Sequence, residues 1–168
     1  MRRSYAVPIS LALLLTLPML NPSSATADPS GPSLVGYQQS TTYVIQRALA
    51  QRGVPFLYGG GNAAGPTRGT GLKANIVGFD ASGLIQYAYA GAGLKMPRTS
   101  GEQCNVGRKV PPAQARPGDL LCYGPAGSQS VAMYLGNGQM IEATEPAVTV
   151  SPARTTEMVP YLTRIIES

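Results

Sequence analysis

The fold of this chain is decided by a ten-residue stretch, Gly78-Phe79-Asp80-Ala81-Ser82-Gly83-Leu84-Ile85-Gln86-Tyr87. Asp80 can cap a helix, because its carboxylate can accept hydrogen bonds from the free backbone N–H groups of the first helical turn. Apolar residues then recur at the spacing of one helical face, and they are Leu84, Ile85, Ala88 and Ala92. We therefore predict a helix over residues 81–92 that ends at Gly93, with one face buried in a core.

The patterns on either side of this helix predict an α+β domain. A second helix is expected over residues 42–52, with Ser40 or Thr41 as its N-cap. The glycine-dense segment 59–78 is expected to be a long mobile surface loop. Beyond residue 117 apolar and polar residues alternate, which predicts strands over residues 119–123, 130–135, 139–143, 148–151 and 161–166. Helices followed by an antiparallel meander define the α+β class.

The N-terminal residues predict export. Residues 1–27 have the parts of a secretory signal peptide, namely two arginines, an apolar stretch and an Ala-Thr-Ala cleavage site. The Pro-, Ser- and Gly-rich residues 28–39 are expected to be a flexible lead-in to one domain over residues 40–168. The apolar stretch is too short for a membrane anchor. We therefore expect a secreted or cell-wall protein with no membrane span after signal removal.

Composition excludes several classes of function. The 168 residues include no histidine, which removes every Ser–His or Cys–His nucleophilic pair and every His-ligated metal site. Two cysteines cannot form a structural zinc site alone, so we expect no metal and no other cofactor. The net charge of +5 is not gathered into a run of Lys and Arg, which makes nucleic acid a poor partner.

The helix start and five further motifs together resemble the NlpC/P60 family of papain-like cysteine endopeptidases. Residues 78–84 resemble the family's Gly-Phe-Asp-Cys-Ser-Gly-Leu motif, in which a helix N-terminus stabilises the catalytic thiolate. The other motifs follow in the family's order, at residues 53–60, 97–103, 115–120, 130–138 and 139–143. The resemblance covers residues 41–151 and implies a papain-like NlpC/P60 fold, with the N-terminal helices packed on the sheet.

The residues that carry catalysis in the family are replaced in this chain. The resemblance places Ala81 at the nucleophile position, Ser130 at the position of the base histidine and Glu142 at the third, orienting position. Phe56 stands where the family has an active-site tyrosine, so the ring is kept and the hydroxyl is lost. A methyl group and a serine hydroxyl cannot replace a thiolate and an imidazole. The resemblance is therefore to the catalytically silent members of the family and implies an inactive homologue.

The retained motifs imply a groove that binds the stem peptide of peptidoglycan without cutting it. The expected ligand-binding residues are Phe56, Tyr58, Asp80, Ser82, Arg98, Ser100 and Gln103. The two aromatic rings would form the groove wall, and Asp80 and Ser82 would make polar contacts. Arg98 and Ser100 would contact carboxylate groups of the stem peptide.

The residues leave two other functions open. One is a decoy module that docks onto an active cell-wall hydrolase through the 59–78 loop. The other is residual hydrolysis of peptidoglycan through another nucleophile, for which Ser82 and Cys104 are the candidates.

The pairing of the cysteines and the place of Glu142 depend on tertiary structure. Export permits a Cys104–Cys122 disulfide, but separate thiols are the simpler interpretation, with Cys122 as a packing residue of its strand. We predict a three-residue loop with a bulge at Gly138, which would put Glu142 on the same face of the sheet as Ser130. A two-residue turn would put Glu142 on the opposite face.

Overall fold

Helix α2 (Ala81–Ala90) begins where the sequence predicts. Asp80 is its N-cap, and the Asp80 Oδ1 accepts a hydrogen bond from the Gly83 N–H at 2.7 Å. The helix ends two residues earlier than predicted, because Gly91 already caps its last turn. The predicted apolar face is confirmed, since the fully buried residues of α2 include Leu84, Ile85 and Ala88.

Helix α1 (Leu34–Leu49) packs against α2 and starts well before the predicted residue 42. The computed structural model describes residues 34–70 and 75–167, so the signal peptide lies outside the described residues. Residues 34–39 are helical, and the predicted flexible lead-in is wrong for this part. Tyr37 and Ile45 of this helix line a groove against the turn at residues 116–119.

The main sheet has six antiparallel strands in the order β3-β8-β4-β5-β6-β7. The strands β3 to β8 are Arg108–Val110, Leu120–Tyr123, Ser130–Gly136, Gln139–Ala143, Val148–Pro152 and Met158–Arg164. The meander over β4 to β7 is confirmed. β8 then returns to the other edge of β4, where the Arg164 Nε donates to the Asp119 Oδ1 at 2.8 Å. Strand β3 was not predicted, because its three residues carry no alternation.

The two faces of the sheet belong to two separate clusters of buried side chains. One face packs against α1 and α2, and its members on β5 and β6 include Val131, Met133 and Ile141. The opposite face carries Ala132, Met140 and Tyr123. Alternation along each strand therefore decides which residues meet α2. No helix within residues 34–70 or 75–167 is long and apolar enough to cross a membrane.

The β5–β6 connection combines the two alternatives that the sequence left open. Gly136 pairs with Gln139 across a two-residue turn, so the predicted three-residue loop is wrong. Asn137 and Gly138 both have positive φ, as a tight hairpin turn requires. A bulge at residue 135 then shifts the register, so that Met133 faces Ile141. The register that the sequence predicts for Glu142 is therefore confirmed, although the bulge lies on β5.

The glycine-dense segment contains a small sheet of its own. Strands β1 (Thr67–Arg68) and β2 (Val77–Gly78) pair antiparallel, and the Gly61 N–H donates to the Thr67 Oγ1 at 2.8 Å. The expectation of a mobile surface loop over residues 59–78 is therefore wrong for its described part. Paired backbone groups replace the solvent contacts that a free loop would make.

A disulfide joins Cys104 to Cys122, which corrects the interpretation of two separate thiols. Cys104 caps the C-terminus of the short helix α3 (Ser100–Gln103), and Cys122 lies in the middle of β4. Both residues are fully buried, and their Cα atoms are 6.1 Å apart. The sequence could not show this proximity, because it arises only when α3 packs on the sheet. The bridge fixes residues 97–104 to the sheet and removes Cys104 as a candidate nucleophile.

Replacing both cysteines by alanine should lower the free energy of unfolding by about 3 kcal/mol, because an open loop regains chain entropy. Urea denaturation of the wild type and of the double variant measures the difference. A reductant should destabilise the wild type and leave the double variant unchanged. Two thiols labelled in the unreduced, denatured wild type would contradict the disulfide.

Candidate functional site

A cavity of about 800 Å³ opens beside the N-terminus of α2, and we call it the α2 cavity. It is lined by Ala81, Ser130 and six of the seven predicted ligand-binding residues, namely Phe56, Tyr58, Asp80, Ser82, Arg98 and Ser100. A second cavity of about 680 Å³, between α1 and the turn at residues 116–119, contains none of the predicted site residues. The α2 cavity is therefore the candidate site.

Ala81 and Ser130 are each the first residue of a secondary-structure element. Ala81 begins α2, and Ser130 begins β5. The N-terminus of a helix has a partial positive charge and free N–H groups, which would stabilise a thiolate at this position. The alanine methyl group has nothing to ionise, so the local field has no reactive group to act on.

The Asp80 carboxylate is the hub of the polar contacts in the α2 cavity. Its Oδ1 accepts hydrogen bonds from the Gly83 N–H at 2.7 Å and from the Ser82 hydroxyl at 3.3 Å. Its Oδ2 accepts one from the Gly59 N–H at 3.1 Å. The two Nη groups of Arg98 approach Oδ1 at 3.0 Å and Oδ2 at 2.8 Å, which forms a bidentate ion pair. Asp80 therefore joins α2 to the turn at Gly59.

The Arg98 guanidinium makes two further contacts inside the protein. One Nη donates to the Ser82 hydroxyl at 2.8 Å, and the other donates to the Gly60 carbonyl at 3.1 Å. Together with the two bonds to Asp80, these contacts use all four Nη hydrogens. The sequence predicted that Arg98 contacts ligand carboxylates, but in this structure its Nη donors are already satisfied by the protein.

A glycine is required at position 83 by the close approach of two backbone segments. A Cβ atom placed on Gly83 would lie 2.3 Å from the Gly60 carbonyl oxygen, which is a severe clash with backbone. The Ser-Gly pair of the quoted stretch therefore has a packing reason. It allows the turn at residues 59–61 to lie directly against the first turn of α2.

Gln103 does not line the α2 cavity, which corrects its assignment as a ligand-binding residue. It is fully buried, and its Nε2 donates to the Ser82 carbonyl at 2.9 Å and to the Pro97 carbonyl at 2.8 Å. These bonds link α3 to α2 from behind the cavity wall. Its burial is a property of the α3 packing that the motif could not show.

Phe56 and Tyr58 stand on a segment that is held by backbone pairing. The Phe56 N–H donates to the Pro146 carbonyl at 3.0 Å, and the Leu57 N–H donates to the Phe79 carbonyl at 2.9 Å. Phe56 is half-buried, while 75% of Tyr58 is exposed. The Tyr58 ring is therefore available to a ligand at the rim of the cavity.

Glu142 lies behind the α2 cavity and is not among the residues that line it. It is 4% exposed, and its Oε1 forms an ion pair with the Arg154 guanidinium. This hydrogen bond raises the pKa of Arg154. The guanidinium stacks on Tyr123 at 4.1 Å from the ring centroid, and burial raises the pKa of Tyr123 to about 12. The Glu142 carboxylate is therefore paired with Arg154, in a chain that has no histidine for it to orient.

Several lining residues were missed by the sequence analysis. Two of them, Thr99 and Ala143, stand inside the family motifs at residues 97–103 and 139–143 but were not predicted to line the site. The others come from the connections between strands, and they are Thr70, Ser128, Gln129 and Thr144. No signal in the sequence marks them, because small polar residues are ordinary in loops. The packing of three distant segments around α2 is what brings them together.

The comparisons with known proteins agree with the fold. The model of the NlpC/P60 family matches residues 53–167, and the chain belongs to this family of peptidoglycan hydrolases. The α+β, papain-like fold that the motifs implied is thereby confirmed.

The most similar relatives include both endopeptidases and a non-catalytic protein. The peptidoglycan endopeptidase RipB of Mycobacterium tuberculosis is 54% identical over 148 residues, which are 87% of this chain and 61% of RipB. The peptidoglycan endopeptidase RipA of the same organism is 50% identical over 149 residues, which are 88% of this chain and 31% of RipA. The chain therefore spans less than two thirds of the length of these two relatives.

A solved structure with a comparable match is RipD from Mycobacterium tuberculosis. It is 65% identical, has a TM-score of 0.73 and is matched over 77% of this chain and 99% of RipD. RipD is described as a non-catalytic NlpC/p60 domain protein adapted to peptidoglycan binding. The resemblance to a catalytically silent member of the family is confirmed.

Replacing Arg98 by alanine should lower the free energy of unfolding by roughly 1–3 kcal/mol, because the Asp80 carboxylate and the Gly60 carbonyl lose charged donors. Urea denaturation measures the loss. Arg108→Ala is the matched control, because it breaks an ion pair with Glu167 whose side chains are 51% and 47% exposed. That variant should change stability by no more than about 0.5 kcal/mol. An equal effect of the two variants would contradict a structural role for Arg98.

Proposed function

We propose that this chain binds peptidoglycan through the α2 cavity and does not hydrolyse it. The observation that carries the proposal is the absence of nucleophile and base. The chain contains no histidine, and its two cysteines are joined in the disulfide. Family members hydrolyse by a thiolate that an imidazole activates, so neither group of that pair is available. Ala81 and Ser130 stand at the two positions where the family motifs have them.

The cavity itself supports binding, because its walls do not depend on the lost catalytic groups. Asp80 and Arg98 hold one wall, the backbone pairing of Phe56 and Leu57 holds a second, and the disulfide anchors the C-terminal end of α3. None of these contacts uses the side chain of Ala81 or Ser130. A rigid cavity loses little conformational entropy when a ligand binds, which favours affinity.

Residual hydrolysis is the second candidate, since the relatives RipA and RipB are named as endopeptidases. The lining hydroxyls that have a carboxylate beside them include Thr99, whose partner Glu102 belongs to the capping box of α3, and the candidate nucleophile Ser82, which donates to Asp80. That carboxylate, Asp80, already accepts both Nη groups of Arg98 and two backbone N–H groups. Its oxygens have little lone-pair capacity left to take the Ser82 proton, which argues against Ser82 as a nucleophile.

The proposed site of action is the cell wall or the surrounding medium. The predicted signal peptide over residues 1–27 supports export, and the buried disulfide supports an oxidising compartment. Relatives that are named as peptidoglycan hydrolases support the cell wall as the place where the ligand is found.

The purified protein should sediment with cell-wall sacculi. Tyr58→Ala should weaken this binding on the order of tenfold, because the exposed ring at the cavity rim is lost. Tyr43→Ala is the matched control, since Tyr43 is a partly exposed tyrosine on α1 that does not line the α2 cavity. That variant should bind as the wild type does. The binding proposal fails if the wild type pellets no better than an unrelated protein of similar charge.

Restoring the two missing groups should restore cleavage. Ala81→Cys with Ser130→His places a thiol at the N-terminus of α2 and an imidazole at the start of β5, where the helix field favours the thiolate. Incubation with muropeptides, followed by mass spectrometry, should show products for the double variant and none for the wild type. Products from the wild type would overturn the non-catalytic proposal. A folded double variant without activity would show that the catalytic geometry has been lost.

A further inference from the structure

We propose that the α2 cavity selects uncharged peptide, so that a stem peptide with an amidated carboxyl group binds more tightly than the same peptide with a free carboxylate. This inference rests on the proposed function and specifies the ligand of the same cavity. It concerns the part of the peptide that enters the cavity beside Ala81.

The charges of the cavity cancel within the protein. Among the described residues that line it, Asp80 and Arg98 are the charged side chains, and they form a bidentate pair with each other. The four Nη hydrogens of Arg98 go to Asp80, Ser82 and the Gly60 carbonyl. A ligand carboxylate would therefore find no unpaired cation in this part of the wall.

The rest of the polar wall consists of neutral groups that donate or accept hydrogen bonds. Two of its hydroxyls, Thr70 and Ser128, donate to the Tyr58 and Pro125 carbonyls and therefore offer a ligand an acceptor. The hydroxyl groups outside the Asp80 network include Thr70, Ser100, Ser128, Ser130 and Thr144, and Gln129 adds a side-chain amide. A primary or secondary amide also has both a donor and an acceptor, so it can be satisfied by such a wall. A carboxylate only accepts, and it would leave its charge uncompensated in a partly desolvated cavity.

The N-terminus of α2 is compatible with the same ligand. Its backbone N–H groups favour an acceptor oxygen in the cavity, and a peptide carbonyl provides one without a full charge. The Gly83 N–H of the first turn is already bonded to the Asp80 carboxylate at 2.7 Å, so fewer free donors remain for a ligand anion. The helix end therefore orients an amide carbonyl and does not compensate for a carboxylate.

Calorimetric titration with two stem peptides tests the inference. The peptides differ only in whether one carboxyl group is free or amidated, and each is measured at low and at high salt. We expect the amidated peptide to bind roughly tenfold more tightly, the ratio that one poorly compensated charge would give. We also expect its affinity to change little with salt, because no net charge pairs with it.

A charge variant tests whether the cavity wall sets the preference. Gln129→Lys introduces an unpaired cation at an exposed lining position and should shift the preference toward the free carboxylate by roughly tenfold. Gln114→Lys is the matched control, because it adds the same charge at an exposed position that does not line the cavity. That variant should keep the preference of the wild type.

The outcomes separate this inference from the proposed function. Binding to sacculi together with equal affinities for the two peptides, or with tighter binding of the free carboxylate, would overturn the inference and leave the proposed function standing. The same holds if sacculi bind and neither peptide does. If neither sacculi nor peptides bind, the proposed function itself is overturned, and the inference falls with it. An equal shift in the two lysine variants would assign the effect to net charge and would also overturn the inference.

Discussion

The Asp80 carboxylate is the interaction on which the rest of the site depends. It caps α2, holds the turn at Gly59 and forms the bidentate pair with Arg98. The three segments that it joins are far apart in the sequence, and together they form one side of the α2 cavity. Hydrogen bonds to a charged group are the stronger ones, and several of them on one partly buried carboxylate hold these segments in a single arrangement.

This dependence explains how the cavity can persist with an alanine at position 81 and a serine at position 130. In the family motif the reactive group sits one residue after the cap, and the hydrogen bonds that hold the cavity walls do not involve the Ala81 side chain. A methyl group at Ala81 therefore changes the reactivity of the site and leaves its architecture intact. The disulfide and the backbone pairing of Phe56 likewise hold parts of the cavity wall through contacts that do not include residues 81 and 130. A cavity built in this manner is well suited to binding.

The sequence predicted the local elements well and the roles of individual polar residues less well. The cap of α2 and the meander follow from short-range rules, and the structure confirms them. The register of Glu142 is as predicted, but it arises from a bulge on β5 and not from the predicted loop. Arg98 and Gln103 were expected to meet the ligand, whereas their donors bond to the protein. A motif indicates that a polar residue is needed at a position. The hydrogen-bond partner of that residue depends on segments that the motif does not contain. The strand connections that complete the cavity wall carry no signal for the same reason.

The sequence by itself determined the α+β class, the frame of family motifs and the lack of histidine, because periodicity, caps and composition are local properties. Tertiary structure decided the state of the two cysteines, since only the packing of α3 on β4 brings Cys104 to Cys122. Once that bridge has formed, neither of the two cysteines has a free thiol. Tertiary structure also decided that Asp80 and Arg98 neutralise each other, because charge compensation is a matter of distance in space. Because of the disulfide and the Asp80–Arg98 pair, the chain has no free thiol and the cavity wall has no unpaired charge among its described residues.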